Sequence, residues 1–443
     1  MIIEFSVGNF RSIKDMQTLS FVATAINEHE QTHTFEANDK IRLLKSLGIY
    51  GANSSGKSNV IKAMWAMMNF IKSPFDEKRK FTELIQPFKL NTATRNEGSF
   101  FQIVFLIDGK SYRYGFVHDK GKITSEWLFG PAQKNEVAYF TREDKDFDIN
   151  KERFAEGIGL ENKTRQNNLF LNVVYEYNGA IAEKIYSFLN EIIVVRGNDL
   201  LMEQELRVVS FEFLKNENER TLDFMKIADS ELLSIKQDEE FNIEAKAQKL
   251  LFEGVDIKKL KNIGDVFKNI DFERIISKNI LDGSPLAITN MIVSQRELFD
   301  EDKKEIGSVA LDFEDDTSDG TQKMFNYAGV ILNCIESGGT LIIDEFDARL
   351  HTILTKKIIE LFNSNKNKTA QLCFVTHDTN LLDKDLLRRD QIYFTEKNLR
   401  GETALYSLNE IKGIRNDASF EKDYIKGKYG AIPFVSPTNS IFG

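Results

Sequence analysis

The sequence predicts an α/β fold that combines a core around a phosphate-binding loop, an antiparallel β subdomain and an inserted helical lobe. Gly51–Ser58 matches the pattern G-x-x-x-x-G-K-[ST] at every fixed position, between a strand expected over 43–50 and a helix expected over 60–68. Thr340–Glu345 is an apolar run that ends in two acids, which is typical of a buried central strand. An Asp-Gly pair at 108–109 separates two alternating runs and predicts a hairpin.

The chain has 443 residues, enough for a nucleotide-binding core with large insertions. We expect four segments. They are the N-terminal half of the core with the phosphate loop over 1–85, the antiparallel β subdomain over 86–164, a helical insertion for dimer or partner contacts over 165–285, and the C-terminal half of the core over 286–443.

Composition excludes several classes of protein. The net charge of −10 argues against a surface that grips nucleic acid throughout, although it leaves a local basic patch open. Cys334 and Cys373 lie in apolar runs, so we expect neither a disulfide framework nor a zinc site. The N-terminus has no signal-peptide pattern, and no run of about eighteen apolar residues occurs. We therefore expect a cytoplasmic protein with no membrane contact.

Along the chain, alternating residues over 1–25 with a turn at Gly8 and Asn9 predict an N-terminal strand pair. Arg11 lies near this turn, where it could reach a phosphate or stay exposed. The charged run Asp76–Lys80 is expected to be a surface loop. Helical periodicity, for example over 181–189 and 241–252, predicts the lobe, and strands are expected to return at 287–293 and 308–313.

The phosphate loop predicts a nucleotide site for chemical reasons. Glycines let the backbone approach phosphate oxygens closely, and the helix that follows adds a positive N-terminal dipole. Lys57 is expected to reach the β and γ phosphates, and Ser58 to hold Mg²⁺. The residues that we assign to nucleotide binding by this loop are Gly51, Asn53, Ser54, Ser55, Gly56, Lys57, Ser58 and Asn59.

The C-terminal half supplies the remaining chemistry. Asp344 is expected to bind Mg²⁺, and Glu345 to polarise the attacking water. Asp347 follows in a compact acidic turn. His377 ends a second buried strand, one helix further along the chain, so it can return beside the same γ-phosphate. Ser318 and Gly320 open a helix, which taken alone is only a good N-cap with a favourable dipole.

In this order, the motifs resemble the ATP-binding-cassette (ABC) head shared by SMC and DNA-repair ATPases. The chain resembles more closely the bacterial AAA-type ATP-binding proteins linked to phage defence, which include abortive-infection ATPases and the ATPase half of the overcoming-lysogenisation-defect nucleases. Further segments that fit this group are Asn9–Ser12, Ser318–Lys323, Arg389–Phe394 and Lys428–Pro433.

The resemblance implies an ABC-ATPase-like core that uses ATP and Mg²⁺. In such heads two subunits sandwich ATP, so Ser318 and Gly320 of one subunit would contact the γ-phosphate held by Lys57 of the other. His377 would be the switch histidine, and Asp347 would lie at the dimer seam.

The chain departs from the pattern of this group in two places. In the signature segment, Thr317 and Asp319 replace the leucine and a glycine of Leu-Ser-Gly-Gly-Gln. For the glutamine loop, Gln166 is the best candidate. Only 66 residues follow His377, too few for a nuclease half, so we expect an ATPase subunit that serves a separately encoded effector.

Several functions compete at this point. The leading one is a Mg²⁺-dependent, dimerising ATPase that regulates or assembles an effector in anti-phage defence. The alternative is an ATP-stabilised scaffold, or a nucleic-acid-binding clamp in DNA repair, with little hydrolysis. A GTPase is disfavoured because no Asn-Lys-x-Asp motif occurs. Contact with DNA or RNA stays open, since the basic run Lys258–Lys261 is short and a solvated helix face explains it better.

Overall fold

The computed structural model describes residues 1–72, 85–132, 136–197, 200–237, 292–414 and 418–433. The expected loop Asp76–Lys80, the helix expected over 241–252 and the basic run Lys258–Lys261 lie outside the described residues.

The described chain forms strands and helices in the following order: β1 Ile2–Gly8, β2 Gln17–Ser20, α1 Glu30–His33, β3 Thr34–Asn38, β4 Ile41–Leu44, β5 Ser46–Tyr50, α2 Lys57–Lys72, β6 Ser99–Ile107, β7 Lys110–Asp119, β8 Lys122–Pro131, β9 Glu136–Glu143, β10 Asp146–Ile149, α3 Phe170–Glu176, α4 Ala180–Asn190, β11 Ile192–Arg196, α5 Leu200–Asn216, α6 Asn218–Met225, β12 Ser234–Gln237, β13 Ile292–Phe299, β14 Glu305–Asp312, α7 Asp319–Ser337, β15 Thr340–Asp344, α8 Thr352–Phe362, β16 Gln371–Val375, β17 Ile392–Lys397, β18 Thr403–Ser407 and α9 Phe420–Ile425.

A six-stranded sheet forms the centre of the fold, in the order β11-β15-β16-β5-β17-β18. Its first five strands are parallel, and β18 pairs antiparallel with β17. Both faces are buried, since Ile342 packs into one hydrophobic core and its neighbour Ile343 into the other. This explains why the run before Asp344 is apolar throughout and does not alternate. The predicted α/β fold is confirmed.

An antiparallel sheet of seven strands, in the order β10-β9-β8-β7-β6-β1-β2, covers one side of the core. The predicted hairpin at 108–109 joins β6 and β7, and the predicted N-terminal pair is β1 with β2. The sheet is larger than expected because β1 pairs with β6 along most of its length, from Ile2 with Phe105 to Gly8 with Phe100. Residues from the ranges 1–85 and 86–164 thus share one sheet.

The single strand predicted over 43–50 is wrong in detail. The chain forms two strands there, because β4 pairs with β3 while β5 enters the central sheet between β16 and β17. Lys45 lies at the break, and its ammonium donates to the carbonyl of Ser364 at 2.9 Å. The apolar pattern continues through both strands, so periodicity does not show the change of sheet. The helix predicted over 60–68 is confirmed and is longer, since α2 begins at Lys57.

The insertion predicted as a helical lobe over 165–285 is not wholly helical. It contains β11, which pairs in parallel with β15 from Ile192 with Thr340 to Arg196 with Asp344. The run Ile192–Val195 is β-branched and buried, which favours a strand in a central sheet. After it, α5 packs along α7 through a core that includes Val209 and Phe325. Part of the expected lobe therefore belongs to the core.

The strands expected at 287–293 and 308–313 appear in shifted form as β13 and β14, which with β12 make a three-stranded antiparallel sheet. Residues 287–291 lie outside the described residues. The strand β14 leads directly to Ser318 and α7. In the described part of the chain, no helix is both long and apolar enough to cross a bilayer.

Candidate nucleotide site

The phosphate loop runs from the carboxyl end of β5 to the first turn of α2, where parallel α/β sheets place their ligands. Gly51 has φ 148° and Gly56 has φ 112°, values that favour glycine. A Cβ atom at Gly56 would lie 2.2 Å from Oγ1 of Thr403, so any larger residue would force the side chain of Thr403 to move. Ser54 also has a positive φ, 63°, and with Asn53 it is exposed at the tip of the loop.

Lys57 is 4% exposed and lies folded against its own loop. Its ammonium donates to the carbonyl oxygens of Gly51 at 2.6 Å and Ala52 at 3.0 Å. Burial lowers the pKa of Lys57 to about 8, against the opposing pull of Asp344, Asp347 and Glu345. A phosphate that approached the loop would favour the charged ammonium.

Ser58 and Asp344 meet at the carboxyl edge of the central sheet. The hydroxyl of Ser58 donates to Oδ1 of Asp344 at 3.1 Å, across 286 positions of sequence. Burial raises the pKa of Asp344, and the hydrogen bond from Ser58 opposes that rise. The structure thus brings together the two side chains that the sequence assigned to one Mg²⁺.

Glu345 follows Asp344 in a left-handed backbone conformation with φ 52°, which is rare for glutamate. Its backbone N–H donates to Oδ1 of Asp344 at 3.1 Å. Its carboxylate makes no hydrogen bond or ion pair with the described residues. The turn is packed from one side by Gly197, whose N–H donates to the carbonyl of Asp344 at 3.1 Å. Non-glycine residues with positive φ concentrate at functional sites, as here.

Asp347 and His377 lie side by side. The backbone N–H of His377 donates to Oδ1 of Asp347 at 3.2 Å, so the acidic turn holds the end of β16. The imidazole is exposed. Partial burial and the neighbouring ammonium of Lys57 lower the pKa of His377, which favours the neutral ring. The structure therefore gathers Lys57, Ser58, Asp344, Glu345, Asp347 and His377 at one edge of the sheet.

Ser318 and Gly320 lie elsewhere in the described chain. Ser318 is the N-cap of α7, and its hydroxyl accepts from the N–H of Thr321 at 3.2 Å. Gly320 approaches the backbone of Arg349, whose oxygen lies 3.4 Å from the position that a Cβ would take. No hydrogen bond of the described residues joins Ser318 or Gly320 to the phosphate loop of the same chain. Ser318 as a whole residue is exposed.

Sequence reasoning missed a cluster that ties α7 to the end of β15. Lys323, 2% exposed, donates to Glu203 at 2.9 Å and to the carbonyl of Gly197 at 2.8 Å. Arg349 also pairs with Glu203. We call Lys323, Glu203, Arg349 and Gly197 the coupling cluster. A lysine on the buried face of a helix was the one signal in the sequence that could have revealed it.

Asn59 and Ser55 brace the loop on its other side. The amide of Asn59 donates to Oγ of Ser12 at 2.6 Å, and the hydroxyl of Thr403 donates to the carbonyl of Ser55 at 2.9 Å while pairing with the hydroxyl of Ser12 at 2.8 Å. The hydroxyl of Ser55 also meets that of Thr395 at 2.6 Å. The loop is thereby fixed to the N-terminal turn and to the β17–β18 hairpin.

Arg11 and Gln166 take different positions. Arg11 adopts φ 52°, and its guanidinium lies 5.5 Å from the ring centre of Phe10. Its Nε is buried without a hydrogen-bond partner among the described residues, and burial lowers the pKa of the side chain. The backbone of Gln166 accepts from the N–H of Ile123 in β8. Its side chain makes no hydrogen bond to the phosphate loop within the described residues.

The donor set of the site fits a magnesium nucleotide. Magnesium takes oxygen ligands, one or two of them from the protein and the rest from water and phosphates, and Ser58 and Asp344 supply such a pair. No group of three or more His, Cys, Asp or Glu residues that could hold a metal by itself occurs in the described ranges.

These features define a nucleotide-binding domain of the P-loop α/β type. A family model described as "AAA domain, putative AbiEii toxin, Type IV TA system" matches residues 46–383. Since the match covers more than half of the chain, the chain belongs to this family.

Three solved structures are similar to the chain. An SMC head domain from Thermotoga maritima matches at 12% identity and a TM-score of 0.40, over 92% of this chain and 98% of that one. An Smc head bound to the C-winged helix domain of ScpA matches at 15% identity and a TM-score of 0.39, over 92% of this chain and 97% of that one. An Smc head with an extended coiled coil, bound to the C-terminal domain of ScpA derived from Pyrococcus furiosus, matches at 14% identity and a TM-score of 0.39. The match covers 96% of this chain and 98% of that one. No curated protein sequence matches the chain.

Proposed function

We propose that this chain is a Mg²⁺-dependent ATP hydrolase that dimerises around ATP and regulates or assembles a separately encoded effector in bacterial anti-phage defence. The observation that carries the proposal is the hydrogen bond from Ser58 to Asp344, beside the free carboxylate of Glu345. It unites the phosphate loop with the strand-end acids on which hydrolysis depends.

Each residue of the site has a role in this reaction. The ammonium of Lys57 binds the β and γ phosphates, together with the N–H groups at the start of α2. Ser58 and Asp344 would hold Mg²⁺, which would supply charge neutralisation on the phosphates. Glu345 accepts a proton from the attacking water, and His377 donates a hydrogen bond toward the γ-phosphate. In P-loop enzymes positioning and electrostatics of this kind carry most of the rate.

The dimer is what the resemblance to ATP-sandwiching heads implies, and the exposed position of Ser318 supports it. Ser318 is exposed, its hydroxyl pairs with Thr321 in the same turn, and within the described residues it makes no hydrogen bond to the phosphate loop of the same chain. A second copy, placed with two-fold symmetry, would bring its Ser318 and Gly320 to the γ-phosphate held by Lys57, with Asp347 at the seam. Each site would then be built from both chains.

The effector and the defence role rest on the family. Its description names a putative toxin of a type IV toxin–antitoxin system. We assign the output of the ATPase to a separately encoded effector protein. We place the chain in the cytoplasm, since its two cysteines are free and buried, as in proteins of reducing compartments.

Substitution of Glu345 by glutamine tests hydrolysis. The variant keeps the size and the hydrogen-bonding capacity of the side chain but cannot accept the proton, so we expect turnover to fall by about 10²-fold or more. ATP binding should persist. The matched control is Glu360→Gln on α8, which only removes an exposed pair with Lys357 and should hydrolyse ATP at the wild-type rate.

Phosphate release and nucleotide affinity are measured for Glu345→Gln and for Glu360→Gln. Hydrolysis by Glu345→Gln at the wild-type rate would contradict the assignment of the base. If the wild-type chain binds ATP with turnover near the detection limit, the scaffold or nucleic-acid clamp becomes the better account.

A further inference from the structure

The C-terminal segment 418–433 folds back onto the phosphate loop. The N–H of Ala52, the second residue of the loop, donates to the carbonyl of Ala431 at 2.8 Å. Ala431 is 2% exposed, so the accepting side of this hydrogen bond is buried. We call residues 418–433 the C-terminal strap.

The strap hydrogen-bonds to the same peptide unit that accepts the ammonium of Lys57. This unit joins Gly51 to Ala52, and its two polar ends have different partners. Its carbonyl, from Gly51, accepts from the ammonium of Lys57 at 2.6 Å, and its N–H, from Ala52, donates to Ala431. The orientation of this peptide therefore depends on the strap, and the resting place of Lys57 depends on the orientation of the peptide.

Aromatic side chains hold the strap in register. The hydroxyl of Tyr424 donates to the same carbonyl of Ala431 at 3.0 Å, and the hydroxyl of Tyr406 in β18 donates to the carbonyl of Tyr429 at 2.8 Å. The ring of Phe394 in β17 lies 5.4 Å from that of Tyr424 and 5.9 Å from that of Tyr429. The strap is thus seated on the central sheet beside the loop.

Backbone strain indicates that the position of this carbonyl is imposed by its surroundings. Ala431 has φ 57°, a left-handed conformation that alanine disfavours. Such conformations persist where the surrounding contacts over-determine them, and they concentrate at functional sites. Here the contacts are the two donors to one oxygen, Tyr424 and Ala52.

A second contact brings the strap to the other half of the site. The hydroxyl of Thr379, two residues after His377, donates to Oε1 of Glu421 at 3.3 Å. The strap consequently touches both the phosphate loop and the turn that follows the histidine strand.

We infer that the C-terminal strap is a positioning element for the nucleotide site, in which Tyr424, through the carbonyl of Ala431, orders the Gly51–Ala52 peptide for phosphate binding. The inference rests on the proposed ATP-binding function. A loop that is already ordered binds its ligand with a smaller entropic loss. Loosening the strap should therefore weaken ATP binding without unfolding the protein.

The test compares Tyr424→Phe with Tyr429→Phe in the full chain. Both variants keep the ring and lose one hydroxyl. The hydroxyl of Tyr424 donates to the carbonyl of Ala431, whereas the hydroxyl of Tyr429 pairs with Asp423 at 3.5 Å. The readouts are the affinity for a fluorescent ATP analogue, the amide exchange of residues 51–58 in nucleotide-free protein, and the melting temperature.

For Tyr424→Phe we expect about three- to tenfold weaker affinity, the usual effect of one hydrogen bond, and faster exchange in the loop. Tyr429→Phe should match the wild type in affinity for the analogue and in amide exchange of the loop. Wild-type exchange and affinity in Tyr424→Phe, or equal losses in the two variants, would overturn the inference. Failure of the wild-type chain to bind the analogue would overturn the proposed function instead, while loop exchange would still decide the role of the strap.

Discussion

At the residue scale, burial determines the charge of Lys57. Its pKa of about 8 lies well below the ordinary lysine value of 10.5 because the side chain is removed from water. Between these two pH values the folded chain binds fewer protons at this position than the unfolded chain, so this residue makes the free energy of unfolding rise with pH across that window. A bound phosphate reverses the preference and draws a proton onto the amine.

This linkage predicts how ATP affinity depends on pH. Above about pH 8 the nucleotide-free lysine is neutral, so binding must take up one proton, and the dissociation constant should rise by up to about tenfold per pH unit. Titration of a fluorescent ATP analogue between pH 7 and 9.5 measures this. In Lys57→Arg the side chain stays charged, so whatever affinity remains should vary little over the same range. An affinity for the wild type that does not change with pH would contradict the account.

Other single residues show what sequence could not foresee. The left-handed conformations of Ser54, Glu345, Arg349 and Ala431 follow from surrounding contacts, which no local pattern encodes. The motif at 51–58 was predictable because loop, strand and helix are consecutive. The contact of Ala52 with Ala431 was not, since it joins the loop to the far end of the chain.

At the element scale, α7 links the two halves of the proposed site. Its first turn presents Ser318, and one turn further Lys323 enters the coupling cluster, whose Gly197 binds the end of β15. A change at the N-terminus of α7 is thereby connected to Asp344 and Glu345 by two successive hydrogen bonds. We expect this connection to matter for turnover more than for ATP binding, because no member of the cluster belongs to the phosphate loop.

Substitution of Lys323 by methionine tests the connection. The variant fills the space but leaves the carbonyl of Gly197 and part of Glu203 unpaired, so we expect turnover to fall by about tenfold, while ATP affinity stays within about twofold. The control is Lys357→Met on α8, which loses only an exposed pair. Steady-state phosphate release and nucleotide titration give the two quantities. Equal losses in affinity and turnover would show that the cluster acts only through general stability.

Elements differ in how far sequence predicts them. The strand β15 and the hairpin β6–β7 were predictable, since burial on both faces and an Asp-Gly turn leave local patterns. The membership of β11 in the central sheet was missed because its pairing with β15 joins residues far apart in sequence. The same reason applies to β1, whose pairing with β6 merges two expected segments. Hydrophobic periodicity describes only neighbouring residues, so it does not show which distant strands pair with each other.

At the scale of the whole molecule, the two large sheets are joined as well as packed. The side-chain amide of Gln371, at the start of β16, donates to the carbonyl of Ile2 at 2.9 Å and accepts from its N–H at 2.7 Å. This amide satisfies the backbone of β1 as a neighbouring strand would. The antiparallel layer is thus connected directly to the sheet that carries the phosphate loop.

The central claim is that one ATP site takes residues from two copies of the chain. Mixing two inactive variants, Lys57→Met and Ser318→Arg, tests it most directly. In a mixed dimer, the intact phosphate loop of the Ser318→Arg chain faces the intact Ser318 of the Lys57→Met chain. One of the two ATP sites therefore has all its residues, and the other lacks both Lys57 and Ser318. We expect each variant alone to lack ATP hydrolysis, and an equal mixture to recover up to about a quarter of the wild-type rate. A mixture as inactive as its parts would contradict the account.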